Sequence, residues 1–141
     1  MTKSIIVPID GSAYAMKALK YAVPFAGAIG AEIVLLNVQP SLNTPNVKRF
    51  FSKEEIHEYQ QQLGNEALAE AAAFMNETGR KYTAKIRIGV PDVEICNEAK
   101  ERGAEGIFMG TRGRGPVRGA LLGSVSYSVL HNAPCPVTVV P

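Results

Sequence analysis

Short apolar runs rich in β-branched residues recur along this chain, separated by segments of helical length, and that alternation restricts the fold more than any other feature. Ser4 to Ile9 carries Ile5, Ile6, Val7 and Ile9 and ends at Asp10-Gly11-Ser12. A strand with one wet face would alternate, so this continuous run reads as a strand buried on both faces and followed by a turn. Ala31 to Val38 is a second such run, and Ile107 to Met109 and Val137 to Val140 are shorter ones. Tyr82 to Ile88 alternates enough to predict a strand with one wetter face. Between the first two strands, Ala15, Ala18, Leu19, Ala22, Ala26 and Ile29 keep the spacing of a helical stripe behind a Ser12 cap. Gly30 is its stop, and Pro24 within it predicts a kink. Lys53 to Thr78 with its Gly79 stop, Pro91 to about Arg102 with its Gly103 stop, and Ser124 to His131 supply further helices. Gln39 to Ser52 holds Pro40 and Pro45 without periodicity and reads as the longest loop.

Strands alternating with helices predict a doubly wound, five-stranded parallel sheet with helices on both faces, because right-handed crossovers place the helices there. The whole chain, 1–141, reads as one domain. In such sheets a ligand binds beyond the carboxyl ends of the strands, where strand order reverses. Asp10, Val38 and Gly110 all stand at strand ends of that kind, with Pro8 and Ile9 leading into the first of them.

Composition narrows the class. A chain with 46% hydrophobic and 20% charged residues is neither disordered nor membrane-like, and its net charge of +2 is too small to argue for general nucleic-acid or membrane affinity. No apolar run approaches the roughly 20 residues of a membrane span. Met1-Thr2-Lys3-Ser4 passes straight into the first strand without the apolar region and cleavage site of a leader, so a cytoplasmic location is expected. Cys96 and Cys135 lack a CxxC spacing, and His57 and His131 are isolated, so neither a zinc site nor a redox pair is expected and both thiols should be buried and reduced.

Gly110 to Ser124 reads Gly-Thr-Arg-Gly-Arg-Gly-Pro-Val-Arg-Gly-Ala-Leu-Leu-Gly-Ser, a glycine-rich, basic stretch between a strand and a helix. Glycines allow a close approach of backbone N–H groups, and the unpaired N–H groups of the next helix's first turn attract anions, so phosphate is the natural ligand. After Glu105 the chain holds no Asp or Glu, while Arg112, Arg114 and Arg118 lie in this stretch. They could add charge-assisted contacts or simply face water. The stretch lacks Gly-x4-Gly-Lys-[Ser/Thr], and its glycines do not form Gly-x-Gly-x-x-Gly at the start of a helix. It does fit Gly-x2-Gly-x9-Gly-[Ser/Thr] through Gly110, Gly113, Gly123 and Ser124.

With that spacing, the chain resembles the universal stress proteins, in particular their nucleotide-binding branch. The resemblance runs from Ile-Val-Pro-Ile-Asp-Gly-Ser through Ile-Val-Leu-Leu-Asn-Val to Leu-Leu-Gly-Ser-Val and Pro-Cys-Pro-Val. It implies that ATP, or AMP or ADP, is bound with Mg2+ held through the phosphates. Asp10 would then face the ribose or adenine side and Val38 would meet the adenine through its backbone. Gly110, Thr111, Arg112 and Gly113 would cradle ribose and phosphates, and Gly123, Ser124 and Val125 would close the site with their N–H groups. The chain departs from similar proteins at Asn37, where they usually carry His, and at Glu105-Gly106. A homodimer through the edge strand Val137 to Val140 is also implied.

These readings favour a nucleotide-dependent stress-response switch with little or no hydrolysis, since no Walker lysine and no second acidic metal ligand is legible. A slow ATPase or an adenylyl or phosphoryl transferase is the alternative from the enzyme class. A dimeric interaction module without ligand is the third reading.

Overall fold

The computed structural model describes residues 2–113 and 122–141. Along these residues run β1 (Ser4–Pro8), α1 (Ala13–Ile29), β2 (Glu32–Gln39), α2 (Pro45–Phe50), α3 (Lys53–Thr78), β3 (Tyr82–Ile88), α4 (Pro91–Arg102), β4 (Gly106–Gly110), α5 (Ser124–Asn132) and β5 (Val137–Val140). The described strands form a five-stranded sheet in the order β3-β2-β1-β4-β5, and every neighbouring pair is parallel. The chain winds outward from β1 to β3, returns to β4 beside β1, and ends at β5. Strand order therefore reverses between β1 and β4.

Two core layers sandwich the sheet. Ile5, Val7, Ile9, Ile33 and Leu35 pack with Leu19 and the alanines of α1 and with Leu68, Ala71 and Met75 of α3. Ile6, Val34, Leu36, Ile107 and Met109 pack on the other side with Ile95 and Ala99 of α4 and Val129 of α5. Ile6 and Val7 are neighbours in sequence, point to opposite layers, and are both 0% exposed. This is why β1 reads as an unbroken apolar run, and burying each such side chain contributes about 1.5–3 kcal/mol. Ala15, Ala18, Ala22 and Ala26 are all buried, so α1 meets the sheet through side chains small enough for close approach.

Local signals set the boundaries. Ser12 Oγ accepts the Ala15 N–H at 3.2 Å and opens α1. Ser52 and Glu55 form a reciprocal capping box at the start of α3. α1 runs through Pro24 without a break; that residue lies on the exposed side of the helix. The stretch from Gln39 to Ser52 departs from the expected single loop, because it contains α2. Thr44 Oγ1 accepts the Val47 N–H at 3.3 Å and Pro45 occupies the first turn, so a cap and an N-terminal proline make a helix too short for periodicity to reveal. β2 extends one residue beyond Val38, because β3 is long enough to pair Ile88 with Gln39.

α4 is held differently from the other helices. Glu98 is 1% exposed, and its carboxylate accepts from Lys85 Nζ at 2.8 Å, Arg87 at 2.6 Å and Arg102 at 2.5 Å. Arg87 also bonds Glu94 and Glu101, and Arg102 reaches Glu32 on β2. Burial alone would raise the Glu98 pKa, but the three cationic donors outweigh it and bring it to about 2. The same arrangement holds Arg87 firmly in its charged form, chiefly through the Glu101 bond. Cys96 and Cys135 are free thiols and only half-buried, short of the full burial expected, where they pack against the same layer; partial burial pushes both pKa values up.

Candidate functional site

The reversal of strand order opens a cleft of about 320 Å3 at the carboxyl ends of β1, β2 and β4. Pro8, Ile9 and Asp10 continue β1 into it, Leu36, Asn37 and Val38 come from β2, and Met109 and Gly110 end β4. α4 contributes Pro91 and Ile95, and α5 contributes Ser124, Val125 and Ser126. One side is thus apolar and the other is the first turn of a helix.

That first turn is shaped for an anion. Gly123 caps α5 with an extended backbone, φ −71° and ψ 166°, and no side chain satisfies the first N–H groups. Among the described residues no acceptor takes the Ser124 and Val125 N–H groups, which stand at the positive end of the helix dipole. Ser124 is exposed, so its hydroxyl is accessible as well. Arg112 lines the same cleft. The Gly123 N–H, expected from the sequence to be a ligand donor, instead donates to the Thr111 carbonyl at 2.6 Å. That bond fastens the start of the loop to the start of α5, leaving the next two N–H groups as donors.

The glycines in the loop also divide into roles. A Cβ at Gly110 would stand 2.8 Å from Tyr14 Cβ and 3.0 Å from its backbone carbonyl atoms, so this glycine exists to let α1 approach the end of β4. A Cβ at Gly113 would stand 2.5 Å from Asp10 Oδ2, so this glycine makes room for the carboxylate. Asp10 Oδ1 in turn accepts the Ser12 N–H at 2.9 Å, which fixes the turn into α1. The turn function and a place on the cleft coexist in one residue.

At β2 the ladder leaves backbone open to the cleft. Leu36 pairs with β1 and its carbonyl accepts the Ile9 N–H at 2.8 Å, whereas the Gln39 carbonyl accepts the Gly89 N–H at 2.9 Å on the β3 side. Residues of a parallel strand address alternate neighbours, so Val38 addresses the β1 side, where the last registered pair is Pro8 with Leu36.

Of the residues singled out from sequence, Pro8, Ile9, Asp10, Val38, Gly110, Arg112, Gly113, Gly123, Ser124 and Val125 all line the cleft. Thr111 does not. Its N–H donates to Val140 of β5 at 3.1 Å and its carbonyl holds Gly123. Arg114 and Arg118 lie outside the described residues. Sequence reasoning missed Pro91 and Ile95, because a wall supplied by a distant helix carries no local motif. It also missed Ser126, whose hydroxyl donates to the Gly110 carbonyl at 2.8 Å, and it noted Asn37 without giving it a role. No metal-binding group of three or more His, Cys, Asp or Glu residues and no helix long and apolar enough to cross a membrane occurs among the described residues.

Comparison with known proteins finds the same fold. Universal stress protein MJ0531 of Methanocaldococcus jannaschii is 37% identical over 141 residues, covering 98% of this chain and 81% of its own. The solved structure of MJ0577, described as a hypothetical protein and also from M. jannaschii, superposes with a TM-score of 0.83 at 29% identity, covering 99% of this chain and 96% of its own. A universal stress protein from Archaeoglobus fulgidus, solved in complex with dAMP, shares the fold with a TM-score of 0.72 at 21% identity, covering 100% and 98%. The universal stress protein family matches residues 1–141. This chain is a member of the universal stress protein family.

Proposed function

We propose that the cleft binds an adenine nucleotide, with ATP as the leading ligand and AMP or ADP as smaller relatives, and that its occupancy acts as a stress-response switch. The observation that carries this reading is the uncapped start of α5, which offers the Ser124 and Val125 N–H groups and the Ser124 hydroxyl opposite the apolar slot of Leu36, Ile95 and Met109. Phosphates suit the first and a flat base suits the second. Val38 would present its N–H and carbonyl to the edge of the base, a donor and acceptor pair that matches adenine. Asp10 would stand by the ribose. The dAMP held by the A. fulgidus protein is a ligand of the same chemical class.

Magnesium would be held through the phosphates. Asp10 is the one carboxylate among the described lining residues, and neither Lys nor His is among them, so the site favours holding the nucleotide over hydrolysing it. The chain would work in the cytoplasm, as a homodimer joined through the open edge of β5. Titration calorimetry with ATP, ADP and AMP tests the reading. Binding in the micromolar range, with stoichiometry near one per chain, is expected; no heat from any of the three at millimolar concentration would overturn it.

A further inference from the structure

Asn37 is an amide inside an apolar run, and at 3% exposed its polar atoms need partners. Its Nδ2 donates to the Ile9 carbonyl at 2.8 Å, and its Oδ1 accepts from Gln39 Nε2 at 2.8 Å. The orientation follows from chemistry, because a carbonyl only accepts and the amide nitrogen must therefore face Ile9.

The Ile9 carbonyl sits at an unusual point of the ladder. The Ile9 N–H already bonds the Leu36 carbonyl at 2.8 Å, which places Ile9 opposite Asn37. In a regular parallel ladder a residue so placed would give its carbonyl to the N–H one residue further along β2, which is the N–H of Val38. Registered pairing stops at Pro8 with Leu36, and the Asn37 side chain takes that carbonyl instead. One side chain thus extends the β1–β2 junction by a hydrogen bond without using the backbone donor that would otherwise make it. The same amide stands on the strip of Asp10, Asn37 and Val38 that borders both the cleft and a second groove of about 490 Å3 on the α3 side.

We propose that Asn37 is a positioning residue that substitutes for Val38 in the ladder and so reserves the Val38 N–H for an acceptor atom on the edge of a nucleobase. This rests on the nucleotide reading of the cleft. Leucine at position 37 keeps the size and removes the donor, and the Ile9 carbonyl then recruits the Val38 N–H, closing the base-recognition edge.

The experiment compares the wild-type protein with Asn37→Leu and Asn37→His, titrating each with ATP, AMP and inorganic tripolyphosphate. Exchange of the Val38 amide is followed by NMR without ligand. Asn37→Leu should weaken ATP and AMP about tenfold, the worth of one hydrogen bond to a base. Tripolyphosphate binding should stay unchanged, because its donors lie on α5. The Val38 amide should exchange quickly in the wild type and become protected in Asn37→Leu. Asn37→His, which restores a ring N–H donor, should recover affinity and fast exchange together, and it carries the test where the leucine variant does not fold. Equal losses for ATP and tripolyphosphate, unchanged ATP affinity in Asn37→Leu, or a protected Val38 amide in the wild type would each overturn the inference while leaving the nucleotide reading intact. A wild-type protein that binds no adenine nucleotide would overturn both.

Discussion

Gly110 ends β4 and Gly113 lies three residues beyond it, and the contacts around them predict different phenotypes for the same substitution. Alanine at 110 drives a methyl group toward Tyr14 Cβ and backbone, at 2.8 to 3.0 Å, where neither side can yield without shifting α1. Gly110→Ala should therefore cost about 1–3 kcal/mol in urea unfolding, the range of an overpacked core. Among the described residues, alanine at 113 meets the tip of the Asp10 side chain, which would have to move and loosen its bond from the Ser12 N–H. Gly113→Ala should cost less, about 0.5–1.5 kcal/mol for the loosened turn bond, and should in addition weaken nucleotide binding several-fold, because Asp10 is pushed from its place. Unfolding and calorimetry on the pair check this, and a Gly110→Ala protein as stable as wild type would contradict the packing argument. From sequence, both glycines looked like parts of one phosphate cradle. Spacing signals that small residues are needed, but it does not say whether a ligand, a helix or a carboxylate needs the space.

At the scale of elements, α4 shows most clearly how a site wall is built from interactions that local sequence hides. Pro91 and Gly103 bracket the helix legibly, but its attachment depends on pairing Glu98 with Lys85 and Arg87 of β3, which requires knowing which strand lies beneath it. α2 is the reverse case, a cap and a proline legible in sequence but attached to a helix of six residues. The Glu98 network also carries a pH signature. Its folded pKa, about 2, lies below the roughly 4.3 of an unfolded glutamate, so its contribution is full above about pH 4.5 and is lost as pH falls toward 2. The shift corresponds to something on the order of 3 kcal/mol. Glu98→Gln should therefore be less stable than wild type by several kcal/mol at pH 7, since Lys85, Arg87 and Arg102 lose their shared anion. The difference should narrow steadily between about pH 4.5 and pH 2. Urea unfolding of both proteins across that range measures it, and a gap independent of pH would show that Glu98 is not the titrating group.

For the molecule as a whole, the alternation of elements made the layered parallel sheet legible, while the strand order was not, because β1, β2 and β4 are all apolar on both faces and no residue names its neighbour. The brevity of β5, with Pro136 before it and Pro141 after it, suits the edge it occupies in the order β3-β2-β1-β4-β5, and the wetter pattern of β3 is explained by its place at the other edge. Pro136 and Val140 give their carbonyls to Ile107 and Thr111 on the β4 side, so the backbone groups of Val137 and Val139 point outward. Val140 also ties this strand to Thr111, and Thr111 holds Gly123 at the start of α5, which links the outer edge to the α5 end of the cleft in three residues. If two chains pair through this edge, proline at 139 removes an outward donor while leaving the bonds to β4 in place, a position where an edge strand tolerates proline. Sedimentation should then show the wild type at twice the mass of one chain and Val139→Pro shifted toward one, with unfolding by urea of the dissociated chain still cooperative. A Val139→Pro protein that stays fully paired would remove β5 from the interface, and the nucleotide site would have to be considered one chain at a time.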